Sequence, residues 1–253
     1  MYWDNIDRDM IDKQASVFRH FGLTIDQYRR HKMQHGDFLD QTMAALGDDD
    51  VLLCMDIDCV PLNRAIVDRA FDVAERGGII GCAQVSMHID PLRIFTAPCF
   101  MALSKRTWIA LGRPSFRRDA HGDVGQALHD KALAEGVPIE YLEPWACVIP
   151  RWNLAGKVIY GIGTFYRGGV FHLYESRESP YRFVFDAVID AVLAGRDPDI
   201  LRLSHHAMRR YLFDYPISRL SRHRRRIGMA WRKLAGGFRD AVEAPGSESG
   251  RSA

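Results

Sequence analysis

The chain has 253 residues, enough for one large domain or for one domain with an appendage. Apolar residues make up 47% of it, so a sizeable core is available. Thirty-four basic against 32 acidic side chains leave a net charge of +2, which argues against a generally nucleic-acid-binding surface.

In chain order, apolar spacing at Met10, Ile11, Ala15, Val17, Phe18 and Phe21 predicts a helix from Arg8 to His20, stopped by Gly22. An extended piece follows over Leu23–Tyr28. A second helix runs from His35 or Gly36 to Leu46, and Gly47–Asp50 is a turn. Val51–Met55 reads as a buried strand. A helix over Arg64–Arg76 ends at Gly77–Gly78, and residues 78–85 form a second strand. Ser86–Thr96, containing HIDPL, reads as a loop before a strand over Phe95–Leu103. Ser104 N-caps a helix through Leu111. A polar loop, Gly112–Gly122, precedes a helix over Asp123–Glu135. Ile139–Leu142 is a short strand, and Val148–Ile149 with Pro150 closes that region. The glycines of GKVIYGIGTFYRGG, residues 156–169, fit neither dinucleotide nor P-loop spacing. A strand ends at or just past His172. Strands alternate with helices, so the expected class is α/β with a mainly parallel sheet. Beyond Pro180 the pattern is helical, first Tyr181–Ala194 and then Pro198 to about Leu212. The expected units are 1–179, a helical basic extension over 180–243, and a disordered tail over 244–253.

The chemistry concentrates in DVLLCMDIDCVPLN, Asp50 to Asn63. An apolar strand there ends in two carboxylates, Asp56 and Asp58, which strand alternation would place on one face at the carboxyl end. Ligands bind at such ends in open α/β sheets. Two ionised carboxylates beside an apolar strand need a cation, and oxygen ligands suit Mg²⁺ or Mn²⁺. The plainer alternative is a solvated pair of aspartates. Cys54 and Cys59 flank the pair, but thiolates suit softer metals. Five cysteines without paired spacing point to a reducing compartment and no disulfide framework. No stretch has the length of a transmembrane helix, and the N-terminus lacks a signal-peptide core. The cytoplasm is the expected location.

The strand ending in DxD, HGDFLDQTMAAL before it and a histidine on a late strand together resemble the GT-A nucleotide-sugar glycosyltransferases, over about residues 1–177. The resemblance implies a Rossmann-like GT-A fold and transfer of a sugar from a nucleoside-diphosphate donor, with a UDP-sugar favoured. It implies that Asp58 is the closer metal ligand, that Asp56 lies near the ribose or a metal-bound water, and that His172 is a third ligand. Arg177 is the candidate for phosphate contacts. Asp123 fits the base that an inverting enzyme needs, with Asp119 second; a helix cap is the structural alternative. His35, Asp4 and Asn5 fall where related enzymes hold the nucleoside. Pro98, Cys99 and Phe100 fall where acceptor-facing residues occur. Trp145, Trp152, Tyr160, Phe165 and Tyr166 could stack on sugars, with core packing the default.

Two other readings compete. LLCMDIDCV also matches a haloacid-dehalogenase-like phosphatase, with Asp56 as nucleophile, Lys105 or Lys131 as its lysine, and Asp123 with Asp130 as late acids. A non-catalytic nucleotide-binding module is the other. Pro216–Arg239 holds eight Lys or Arg and no acid. As a basic amphipathic helix it would lie on an anionic membrane, at about 1 kcal/mol per basic residue near the surface, and would suit a lipid-linked acceptor. A solvated helix or partner-docking segment is the alternative.

Overall fold

The computed structural model describes residues 1–86, 89–176 and 180–213, with side chains through 210. Helix α1 (Arg8–His20) begins where Asp7 accepts a hydrogen bond from the Asp9 amide. It ends in a Schellman turn: the N–H of Gly22, at φ +70°, bonds the Arg19 carbonyl, and that of Leu23 the Phe18 carbonyl. Residues 23–28 form no regular secondary structure, and a single parallel bridge joins Arg29 to Tyr2. Helix α2 (His35–Ala45) lies so close to the 116–117 loop that a Cβ on Gly36 would sit 2.6 Å from the Phe116 carbonyl oxygen.

Strand β1 (Val51–Met55) follows, then β2 (Cys59–Pro61). Asn63 caps α3 (Arg64–Glu75) through the Ile66 amide. Strands β3 (Ile79–Ser86) and β4 (Asp90–Ser104) come next, and Ser104 caps the short α4 (Lys105–Ala110) as expected. Helix α5 (Gln126–Ala134) starts three residues after Asp123. Strands β5 (Ile139–Leu142), β6 (Pro144–Asn153), β7 (Ile159–Tyr166) and β8 (Val170–His172) lead to α6 (Arg182–Leu193) and α7 (Ile200–Phe213).

The strands form two sheets, ordered β1-β4-β3-β5 and β2-β8-β7-β6. The expected mainly parallel sheet is corrected. Only β3 and β5 pair in parallel among the named strands, and the second sheet is antiparallel throughout. The reason is connection length. Residues 87–89 alone join β3 to β4, far short of the dozen or so that a parallel crossover needs. The HIDPL stretch, read as loop, holds the start of β4; its residues 91–93 are exposed and carry no apolar alternation. What stands is an α/β protein of mixed sheets flanked by helices.

Side chains of β1 alternate between two cores. Val51, Leu53 and Met55 join Phe18, Ile66 and Val67 under α1 and α3. Leu52 and Cys54 join Phe38, Leu39 and Trp108 under α2 and α4. The second sheet packs on α1 and α6, with Val17, Phe165, Phe171 and Phe185 in one cluster. Helix α6 thus shares the core of a unit that spans Met1–Ala207; the second unit is Met208–Ala253. The basic stretch 217–239, the tail 244–253 and Arg177 lie outside the described residues. Among the described residues, no helix is long and apolar enough to cross a membrane.

Candidate metal centre

Strand β1 does not carry both carboxylates on one face, as alternation suggested. Its ladder makes one more bond, from the Asp56 N–H to the Cys99 carbonyl at 3.0 Å, and the chain then turns. The Cys59 N–H bonds the Asp56 carbonyl, and the chain enters β2 of the other sheet. Asp56 and Asp58 therefore bracket a turn that joins the two sheets. Strand β8 pairs with β2 so that His172 lies opposite Cys59, and the Leu173 N–H bonds the Asp58 carbonyl. This pairing brings a histidine 114 residues away in sequence onto the carboxylates.

One ligand atom from each of Asp56, Asp58 and His172 lies within 4.8 Å of the others. His172 Nε2 is 3.2 Å from Asp58 Oδ1 and 3.8 Å from Asp56 Oδ2. Asp58 and His172 are 8% and 4% exposed, whereas the Asp56 side chain keeps 34% of its surface. The centre is closed behind and open at Asp56. Burial raises the Asp58 carboxyl, but His172 and a hydrogen bond from Ser176 outweigh it and hold it below its usual value. Burial lowers the His172 imidazole, yet Cys99 and Asp58 lift it well above 6.5.

Three supports were invisible in the sequence. Gln14 on α1 is 1% exposed and donates from Nε2 to the Asp56 carbonyl at 2.7 Å and the Cys59 carbonyl at 2.8 Å. The Tyr174 ring lies on His172, centroids 3.8 Å apart, in a left-handed backbone (φ +55°) that Glu175 shares. Its hydroxyl meets Gln84 Nε2 and the Tyr166 hydroxyl. Gln84 also donates to Cys99 Sγ at 3.1 Å. Burial raises the Cys99 thiol, but Cys82 and His172 bring it down to about 7. All five cysteines are free.

Of the other expected site residues, His35 comes nearest, its Nδ1 3.7 Å from Asp56 Oδ1. Asp4 is held by Arg29 Nε and His31 Nδ1, each at 2.6 Å, and Asn5 is exposed. Asp123 accepts a hydrogen bond from the Val124 N–H in the loop before α5. Gly125 of that loop packs on Pro98, a Cβ there falling 3.5 Å from Pro98 Cδ. Pro98 precedes the Cys99 carbonyl that Asp56 uses. Cys99 and Phe100, expected to face an acceptor, are buried, as are Tyr160, Phe165 and Tyr166. Trp145 is 51% exposed, and Trp152 lies half-buried against Tyr160 and Tyr174.

No protein-family model matches this chain, and no curated protein matches it significantly. The donor set must speak for itself. Two carboxylates and one imidazole form a mixed oxygen and nitrogen set that could hold a metal ion.

Proposed function

We propose that the chain is a metal-dependent glycosyltransferase that moves a sugar from a nucleoside-diphosphate donor to an acceptor. The carrying observation is the convergence of Asp56, Asp58 and His172 at the open end of a strand turn. These three residues would hold the cation. When bound, it would supply Lewis-acid neutralisation of a departing diphosphate. Asp58 and His172 fix the closed side of the centre; Asp56, the exposed ligand, faces the substrate side. His35 stands beside Asp56, where it can donate to a phosphate or ribose oxygen. Asp123 takes the acceptor hydroxyl's proton in an inverting reaction, from the loop that packs on Pro98.

The phosphatase alternative finds less support. Lys105 Nζ is buried and bonds the Met43 and Ala44 carbonyls at the end of α2. Lys131 pairs with Glu135, and Asp130 with Arg93. Turnover of UDP-sugars with Mn²⁺, in wild type and in Asp58→Ala, tests the proposal. Metal-dependent release of UDP that Asp58→Ala abolishes supports it. A trapped aspartyl-phosphate on Asp56 would overturn it in favour of the phosphatase. Metal-dependent nucleotide binding without turnover would favour a binding module.

A further inference from the structure

Asp123 is not spent as the cap of α5. The N-cap is Gly125, at φ +84°, and no side chain bonds the first turn there. Asp123 stands two residues earlier, half-buried, and its Oδ1 accepts the Val124 N–H at 2.9 Å. The side chain that fixes this loop is Gln126, the first residue of α5 and 0% exposed. Its Oε1 accepts two hydrogen bonds, from the Asp123 N–H at 2.9 Å and from the Ser86 hydroxyl at 2.6 Å. Its backbone N–H bonds the Asp123 carbonyl at 3.0 Å. Both backbone groups of Asp123 are thus tied to Gln126. Gly122 packs so closely on the same side chain that a Cβ there would sit 3.1 Å from Gln126 Cβ.

Gln126 Nε2 is buried and has no hydrogen-bond partner among the described residues. Flipping the amide would not cure this, because it would set Nε2 against the Asp123 N–H, donor against donor. The orientation is therefore fixed, and it strands a buried donor at a cost in stability. What the residue supplies in return is placement. Ser86 ends β3, two residues beyond Gln84, or about 7 Å along the strand. Gln84 holds the Tyr174 hydroxyl and Cys99 Sγ, and the Tyr174 ring lies on His172. One strand thus supports the metal centre through Gln84 and the Asp123 loop through Ser86. We propose that Gln126, carried by Ser86, is the positioning residue that sets Asp123 at a fixed distance from the metal centre. It acts through the Asp123 backbone rather than the carboxylate. This role rests on the reading of Asp123 as the base of a transferase.

The test measures UDP release from UDP-sugars with Mn²⁺ by the full chain, with water as the acceptor. Wild type, Gln126→Met, Asp123→Asn and the double variant form a cycle. Met keeps the length of Gln and removes the acceptor oxygen; Asn keeps an Oδ1 for the Val124 N–H and removes the base. Asp123→Asn should lower kcat by about 10²–10⁴-fold. Gln126→Met should lower kcat by about 10–100-fold, with KM for the donor and Mn²⁺ affinity by titration calorimetry unchanged. In the Asp123→Asn background it should cost nothing further, since its effect passes through the base. If Gln126→Met fails to fold, Ser86→Ala takes its place in the cycle, because it removes the hydroxyl and leaves the loop's own residues intact. Equal losses in both backgrounds, or a raised KM with kcat intact, overturn the positioning role. Absence of UDP release from wild type refutes the transferase, and release that Asp123→Asn leaves unaltered refutes the base. Either removes the positioning role as well, by a result visible before Gln126 is changed.

Discussion

Gln14 gives the sharpest test of how the centre is built. Substitution to Leu keeps the side chain's size and removes both donors to the turn. The Asp56 carbonyl retains the Cys59 N–H. The Cys59 carbonyl keeps nothing: the Leu173–Asp58 bond fixes the β2–β8 phase, so Cys59 is a non-bonded position and its carbonyl points away from β8. Gln27 Nε2 loses Gln14 Oε1 but keeps the Ile11 carbonyl. One stranded buried acceptor and two weakened contacts sum to about 2–4 kcal/mol. Urea unfolding of metal-free protein should show that loss at unchanged m. The bonds also set where the turn places Asp56 and Asp58, so Mn²⁺ affinity by titration calorimetry should fall by about 10–100-fold, as for other supports of metal ligands. Full destabilisation with Mn²⁺ affinity unaltered would refute the positioning argument. Unaltered stability would refute the hydrogen bonds themselves.

Mn²⁺ at about 100 times its dissociation constant should stabilise wild type by about 2.7 kcal/mol, and Asp58→Ala or His172→Ala should lose that increment in thermal scans. The His172 imidazole titrates above 6.5, so in metal-free protein its pairing with Asp58 contributes fully below pH 6.5 and is lost as pH rises through the folded value. A metal needs the deprotonated ring, so Mn²⁺ affinity should climb with pH well above 6.5, and a plateau already reached at pH 6 would contradict this. His129 has the opposite sign. Burial lowers it below 6.5, so the unfolded chain binds the extra proton and stability should fall as pH drops through 6.5. His129→Gln should flatten that limb of a stability–pH curve from chemical denaturation. Gly163→Ala places a Cβ 2.9 Å from Val148 Cγ2 at φ +66° and should destabilise by about 1–3 kcal/mol, read as a lowered urea midpoint.

Local signals carried what local physics decides. The α1 stop at Gly22, the Ser104 cap and the β1 strand follow from residues within one turn of each other. Strand direction was lost because it depends on the three residues between β3 and β4, where an exposed Pro91–Arg93 hides a strand start. Pro150 seemed to close a strand; it sits inside β6, an edge strand, where a missing N–H is tolerated. The metal candidates were legible because two aspartates follow an apolar run and a histidine ends a late one. Gln14, Gln84 and Tyr174 were not, since each acts through a contact that only the folded chain creates.

The placement of the centre has a consequence for its rigidity. Strand β1 is an edge of the first sheet and β2 an edge of the second, so the turn between them has a ladder on one side only at each end. Its backbone is held by the Cys99 carbonyl, the Leu173 amide and Gln14. Those three anchors come from β4, the end of β8 and α1, one from each layer that meets there. A cation shared by Asp56, Asp58 and His172 would tie this turn to β8 of the second sheet through side chains. Metal binding and the joining of the two sheets then favour each other, so metal should protect the amides of residues 56–59 from exchange more than those of either sheet's interior.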